Sequence, residues 1–192
     1  MEVCVMRCMI TIVACLLMAC SKPTAEEYFA AAEAFQRTAE AELGSKQSVQ
    51  DSLFNIAIFQ FEELADEYPG HPLAQASLFR VAELHNNGTR DFPKSIAAYR
   101  RLGMTYSETP QAPLSLFMMG FLYNNELKNF DSAGAVYRRF IERFPEHELT
   151  SSARAELENL GKSPEEIIER QVALSKEIES GSEAQTSAGK KR

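Results

Sequence analysis

The sequence predicts an all-α protein, an α-solenoid of antiparallel helix pairs with about three repeats of 38 residues and a capping helix at each end. Three observations predict it. Slid against itself, the chain matches without gaps at an offset of 38: Phe54, Phe92 and Phe130 align, as do Phe61, Tyr99 and Tyr137, and Tyr68, Tyr106 and Phe144. Such a period is the mark of a repeat array. Within a unit the apolar residues recur at helical intervals, as in Ala133, Val136-Tyr137, Phe140-Ile141 and Phe144, which is the spacing of one buried face. Finally, Pro69 and Pro145 punctuate equivalent positions and end their helices.

Composition bounds the rest. The chain has 192 residues, a net charge of −7 and a charged fraction of 24%, enough for one domain with a real core. The negative balance argues against nucleic acid, because no basic stripe is large enough to displace counterions from phosphates. Cys4, Cys8, Cys15 and Cys20 all precede the repeats. Disulfides and cysteine metal sites are therefore not expected in the body of the protein.

Residues 1–19 read as an export signal: Arg7 precedes the apolar run Cys8 to Ala19, which is too short to span a bilayer as a mature helix. The run ends in Leu17-Met18-Ala19-Cys20, which resembles a bacterial lipobox, with Cys20 as the lipidated residue. Acyl chains there each contribute about 0.8 kcal/mol per buried methylene, so more than one anchors lastingly. Residues 20–23 would form the tether, at most about 14 Å long. An ordinary signal or an uncleaved anchor is the alternative.

The array is expected over 24–161. Thr24-Ala-Glu-Glu27 is a capping box, and Tyr28, Ala31, Phe35 and Ala39 form the inner stripe of a leading helix. Leu43 to Ser48 reads as a polar loop. The repeats follow, with Ala82, Gly120 and Ala133 as small residues that let helices approach. Residues 162–179 should form a terminal cap: Pro164 stands at the first helical position, and Ile167, Ile168, Val172, Leu174 and Ile178 can seal the end of the stack. Residues 180–192, SGSEAQTSAGKKR, are too polar to pack and should be disordered.

Gly120 and Tyr123 on one helix, then Phe130, Ala133, Tyr137 and Pro145 on the next, resemble the tetratricopeptide repeat. The resemblance implies a right-handed solenoid. Two departures stand out: the period is 38 against about 34 in the family, and Ser107 replaces a closing proline. Such stretched units are most similar to those of exported bacterial lipoproteins, the barrel-assembly (BamD) and Tol-Pal-associated periplasmic group.

No catalytic constellation accompanies the repeats. His71 and His147 lie 76 residues apart in equivalent turns, where exposed, structural roles are expected, and His85 takes the place of Tyr123, as a packed or helix-terminal residue would. Glu62-Glu63 and Glu165-Glu166 are adjacent on helices and point apart. Neither a metal nor a cofactor is expected, nor a small-molecule substrate, and the chain reads as a non-enzyme.

The resemblance places a binding surface on the concave face, lined by Phe79, Glu83, Asn86 and Asn87 in one unit and by Phe117, Phe121, Asn124 and Asn125 in the next, with Met118 beside them. LSLFMMGFLY is apolar almost all round, so this helix is either covered by the cap helix or carries a partner patch. The Asn pairs of LHNNGTRDF and LYNNELKNF fall at helix ends. There Asn, and Gly88, are expected to adopt the left-handed conformation, with the side-chain amides also placed to bind an extended peptide.

The functional expectation is a membrane-anchored scaffold for a protein or peptide partner, on the periplasmic side of a bacterial outer membrane, serving outer-membrane protein assembly or envelope maintenance. A self-associating structural envelope protein, or an accessory subunit of an envelope enzyme complex, is the alternative.

Overall fold

The computed structural model describes residues 22–42, 47–173 and 175–176. The expected signal segment, Cys20 and the polar tail lie outside the described residues. Those described are helical throughout, without a strand: α1 (Ala25–Ala41), α2 (Gln47–Glu67), α3 (Pro72–Glu83), α4 (Phe92–Thr105), α5 (Gln111–Asn125), α6 (Phe130–Arg143) and α7 (Thr150–Glu158), then α8 over residues 164–173. A π-helical turn, Leu84–Gly88, extends α3. The expected all-α series of helix pairs is what forms. None of these helices is long and apolar enough to cross a membrane.

The chain divides into two compact units, Met1–Ala98 and Tyr99–Arg192, with the boundary inside α4. In the first, α1 starts at the predicted capping box: Thr24 Oγ1 accepts from the Glu27 amide at 3.2 Å, and Glu27 Oε2 accepts from the Thr24 amide at 2.8 Å. The line that α1 buries is Ala25, Ala32 and Ala39; of the stripe expected, Tyr28, Ala31 and Phe35 are only half-buried. Alanines let α2 lie close, and Phe29 then meets the fully buried Phe61 edge-on at 5.3 Å. Burying a side chain such as Phe61 is worth about 2–3 kcal/mol. The chain's entry to α1 is pinned to the end of α2, where Tyr68 Oη donates to the Pro23 carbonyl at 2.7 Å and Lys22 pairs with Glu67. Gln47 and Ser48 are already helical, so α2 begins inside the stretch expected as loop.

The second unit is built around Ala133, Tyr137, Phe140 and Ala153, with Leu116, Phe117, Phe144 and Leu160 packed against them. Phe117 stands 5.8 Å from the Tyr137 ring and 5.9 Å from that of Phe140. α8 starts as predicted, with Ser163 Oγ and Glu166 Oε2 capping reciprocally. Of the residues expected to seal the end of the stack, Ile167 is half-buried, Ile168 is 60% and Val172 47% exposed, and Leu174 and Ile178 lie outside the described residues.

The 38-residue period recurs bond for bond in the backbone. The amides of His71, Thr109 and His147 donate to the carbonyls of Tyr68, Tyr106 and Phe144 at 2.9, 3.1 and 3.1 Å, and those of Ala74, Ala112 and Thr150 donate to His71, Thr109 and His147 at 2.9, 3.0 and 2.9 Å. Ser107 therefore closes its turn without the proline.

Candidate functional site: the ends of the first helices

Two of the helices, α3 with its π-helical turn and α5, end in turns that repeat at the same offset. Thr89 donates to the Leu84 carbonyl and Leu127 to that of Leu122, both at 3.0 Å; Asp91 donates to His85 and Asn129 to Tyr123, both at 2.8 Å. These bonds reach one residue further back than in an α-helical C-cap. The left-handed residue consequently moves along the chain. It is Arg90 (φ 54°) in one turn and Lys128 (φ 50°) in the other, and neither Gly88 nor an Asn takes that conformation. Asp91 and Asn129 then start the next helix, accepting from the amides of Lys94 at 3.2 Å and Ser132 at 3.1 Å. Gly88 is small for a different reason: a Cβ there would stand 3.0 Å from the Phe54 ring.

The Asn side chains are thus released from closing the turn. In the first unit Asn87 and Glu83 face a polar cleft between the ends of α1 and α3, about 320 Å³ in volume, with Gln36, Glu40, Arg80 and Phe54. An adjoining cleft of about 360 Å³ adds Gln47, Gln50 and Arg90. Glu83 is held by Arg80 at 3.2 Å. Asn86 lines neither cleft and donates to Asn87 Oδ1 at 3.0 Å. Phe79, half-buried on α3, also lies outside both. Gln36 and Glu40 are lining residues that the sequence reading did not identify; their four-residue spacing at the end of α1 was the available signal.

In the second unit Asn124 reaches across from α5 to α7, donating to Glu156 Oε2 at 3.2 Å, while Asn125 turns back to the Phe121 carbonyl at 3.1 Å. Phe121 is 36% exposed. Met118 is half-buried, and Phe117 is spent on the core. The apolar helix α5 is therefore divided: one face holds α6, and Phe121 stands outward beside the Asn124–Glu156 bond.

Each histidine caps or packs its own turn, and His71 Nε2 also lies 3.2 Å from Glu26 Oε1 on α1. His71 Nδ1 accepts from the Leu73 amide at 3.2 Å and His147 Nδ1 from that of Leu149 at 3.1 Å; both are half-buried where exposure was expected, and His147 stacks edge-on against Phe140 at 5.7 Å. His85 is buried beside Thr89 Oγ1 at 3.2 Å, and burial holds its pKa below the usual histidine value. Among the described residues, no group of three or more His, Cys, Asp or Glu is placed to hold a metal ion.

Residues 114–147 match the family model for the tetratricopeptide repeat. The match runs from α5 through α6 to His147, so one helix pair of the second unit is such a repeat. No curated protein matches the chain.

Proposed function

We propose that this chain is a non-enzymatic scaffold that holds a protein partner against the first helices of its repeats. Tetratricopeptide repeats stack helix pairs into surfaces that bind proteins. The observation that carries the reading is Phe121: a large aromatic left outward on an otherwise core-forming helix, next to a fixed polar pair, is the pattern of an interface anchor rather than of a solvated face. Glu83, Asn86 and Asn87 offer hydrogen-bonding groups at the equivalent turn of the first unit.

The place we propose for it is the bacterial envelope, with lipidation at Cys20 fixing it to the periplasmic face of the outer membrane, in protein assembly there or in envelope maintenance. The lipobox-like Leu17-Met18-Ala19-Cys20 supports this. A scaffold held a short tether from the bilayer raises the local concentration of what it binds. Fractionation of cells expressing the wild type and Cys20→Ala tests it: the wild type should sediment with membranes and the variant should not. Equal sedimentation would remove the anchor from the proposal.

One observation favours a second reading. Ile168 and Val172 leave α8 with an uncovered apolar stripe, which a second copy would bury in a self-associating envelope protein. Light scattering over a concentration series distinguishes the two, since a scaffold for another protein keeps one mass and a self-associating protein gains mass that Val172→Glu removes.

A further inference from the structure

A cleft in the second unit gathers three arginines over an apolar floor. Arg100 of α4 and Arg139 and Arg143 of α6 line a cavity of about 180 Å³ with Leu116, Met119 and Phe144, and among the described residues no carboxylate lines it. Two of the guanidinium groups are positioned by neighbours: Arg100 donates to Tyr123 Oη at 3.0 Å, and Arg143 donates to the Ser107 carbonyl at 3.2 Å and lies 5.2 Å from the centre of the Phe144 ring. Glu108 approaches Arg143 at 3.8 Å but is 93% exposed, so water screens the pair. Arg139 has no ion pair among the described residues.

The repeat register gives an independent reason to single out this cleft. The positions of Arg100-Arg101 in α4 and Arg138-Arg139 in α6 are those of Glu62-Glu63 in α2. A helix face that needs only to be wet has no reason to exchange acid for base between repeats, least of all in a chain of net charge −7. Clustered guanidinium groups repel one another until an anion joins them, and their planar forks pair with carboxylates while tolerating an apolar surround. The volume suits one large apolar side chain.

We propose that this cleft binds an acidic-apolar segment of a protein partner, with an apolar side chain on Leu116, Met119 and Phe144 and flanking carboxylates on Arg100 and Arg139. It shares no residue with the Phe121–Asn124 face, so it is a second binding site that stands or falls separately.

The test is fluorescence anisotropy with the full chain and a short labelled peptide whose Leu-Phe centre is flanked by Asp and Glu. The wild type should bind it, Arg139→Glu should weaken binding about tenfold or more at low salt, and added salt should shrink that difference. Met104, 74% exposed at the rim, gives a second variant: Met104→Glu should also weaken binding, and it decides the matter if Arg139→Glu loses its helical circular dichroism. The same peptide flanked by Lys should not bind. The proposal is overturned if the wild type does not bind the acidic peptide, if neither variant changes its affinity, or if inorganic phosphate displaces it as well as unlabelled peptide does. Binding lost in Phe121→Ser but kept in Arg139→Glu would overturn it too, while leaving the scaffold reading intact.

Discussion

Gly120 lies beneath the ring of Tyr137, so closely that a Cβ on Gly120 would stand 2.7 Å from Tyr137 Cε1. This contact sets the distance between α5 and α6, and with it the position of Phe121 and Asn124. Gly120→Ala gains about 1 kcal/mol in helix propensity but meets an aromatic ring that is fully buried and cannot swing away. Overpacking of this kind costs about 1–3 kcal/mol. A lower urea midpoint is expected for the variant, and it should recover when Tyr137→Leu is added.

The Tyr137 hydroxyl is buried without a hydrogen-bond partner among the described residues. Tyr137→Phe should therefore leave stability unchanged or raise it by up to about 1 kcal/mol. Burial, helped by the Glu156 carboxylate, pushes the Tyr137 pKa above its ordinary value. A folded-state pKa above the unfolded one gives stability that is complete below about pH 10 and is lost as pH rises beyond it. Urea melts across that range should show a shallower decline in Tyr137→Phe than in the wild type.

His85 has the opposite sign. Burial lowers its pKa, Lys94 lowers it further and Asp91 opposes them. The unfolded chain then takes up a proton first, so the stability His85 confers is present above about pH 6.5 and is lost as pH falls below it. His85→Tyr, the residue that the next repeat carries at this position, should abolish that part of the acid sensitivity in thermal melts between neutral and mildly acidic pH.

Lys128 holds a left-handed conformation that glycine adopts at no steric cost. Lys128→Gly should be neutral or stabilising by about 0.5–1 kcal/mol, and Lys128→Val, branched at Cβ, destabilising by about 1–2 kcal/mol. Thermal denaturation of the pair checks both signs.

What the sequence made legible, and what it hid, differ in physical kind. The aligned aromatics and small residues Phe61, Tyr99, Tyr137 and Gly120 disclosed the period because a repeated core demands repeated volumes. The turns after the Asn pairs were misplaced by a few residues. Arg90 and Lys128 carry no turn signature, and the wide turn that puts them in the left-handed region depends on backbone bonds rather than side-chain type. On α8 periodicity marks an apolar face but not its partner, and Ile168 and Val172 on that face stand exposed. At the candidate site, Glu83 and Asn87 share a cleft, and of the two readings open for the apolar helix α5 the Phe117 ring takes the buried one, against Tyr137 and Phe140. Only the packing of α6 on α5 separates Phe117 from Phe121.

The most direct measurement is site-specific photo-crosslinking in cells, with a benzoyl-phenylalanine in place of Phe121 and, as control, in place of the exposed Arg37. A protein-binding scaffold should give one discrete adduct with a second protein from position 121, absent from position 37 and competed by overexpressed wild-type chain. No adduct at 121, or the same adducts at both positions, would contradict a protein partner on this face.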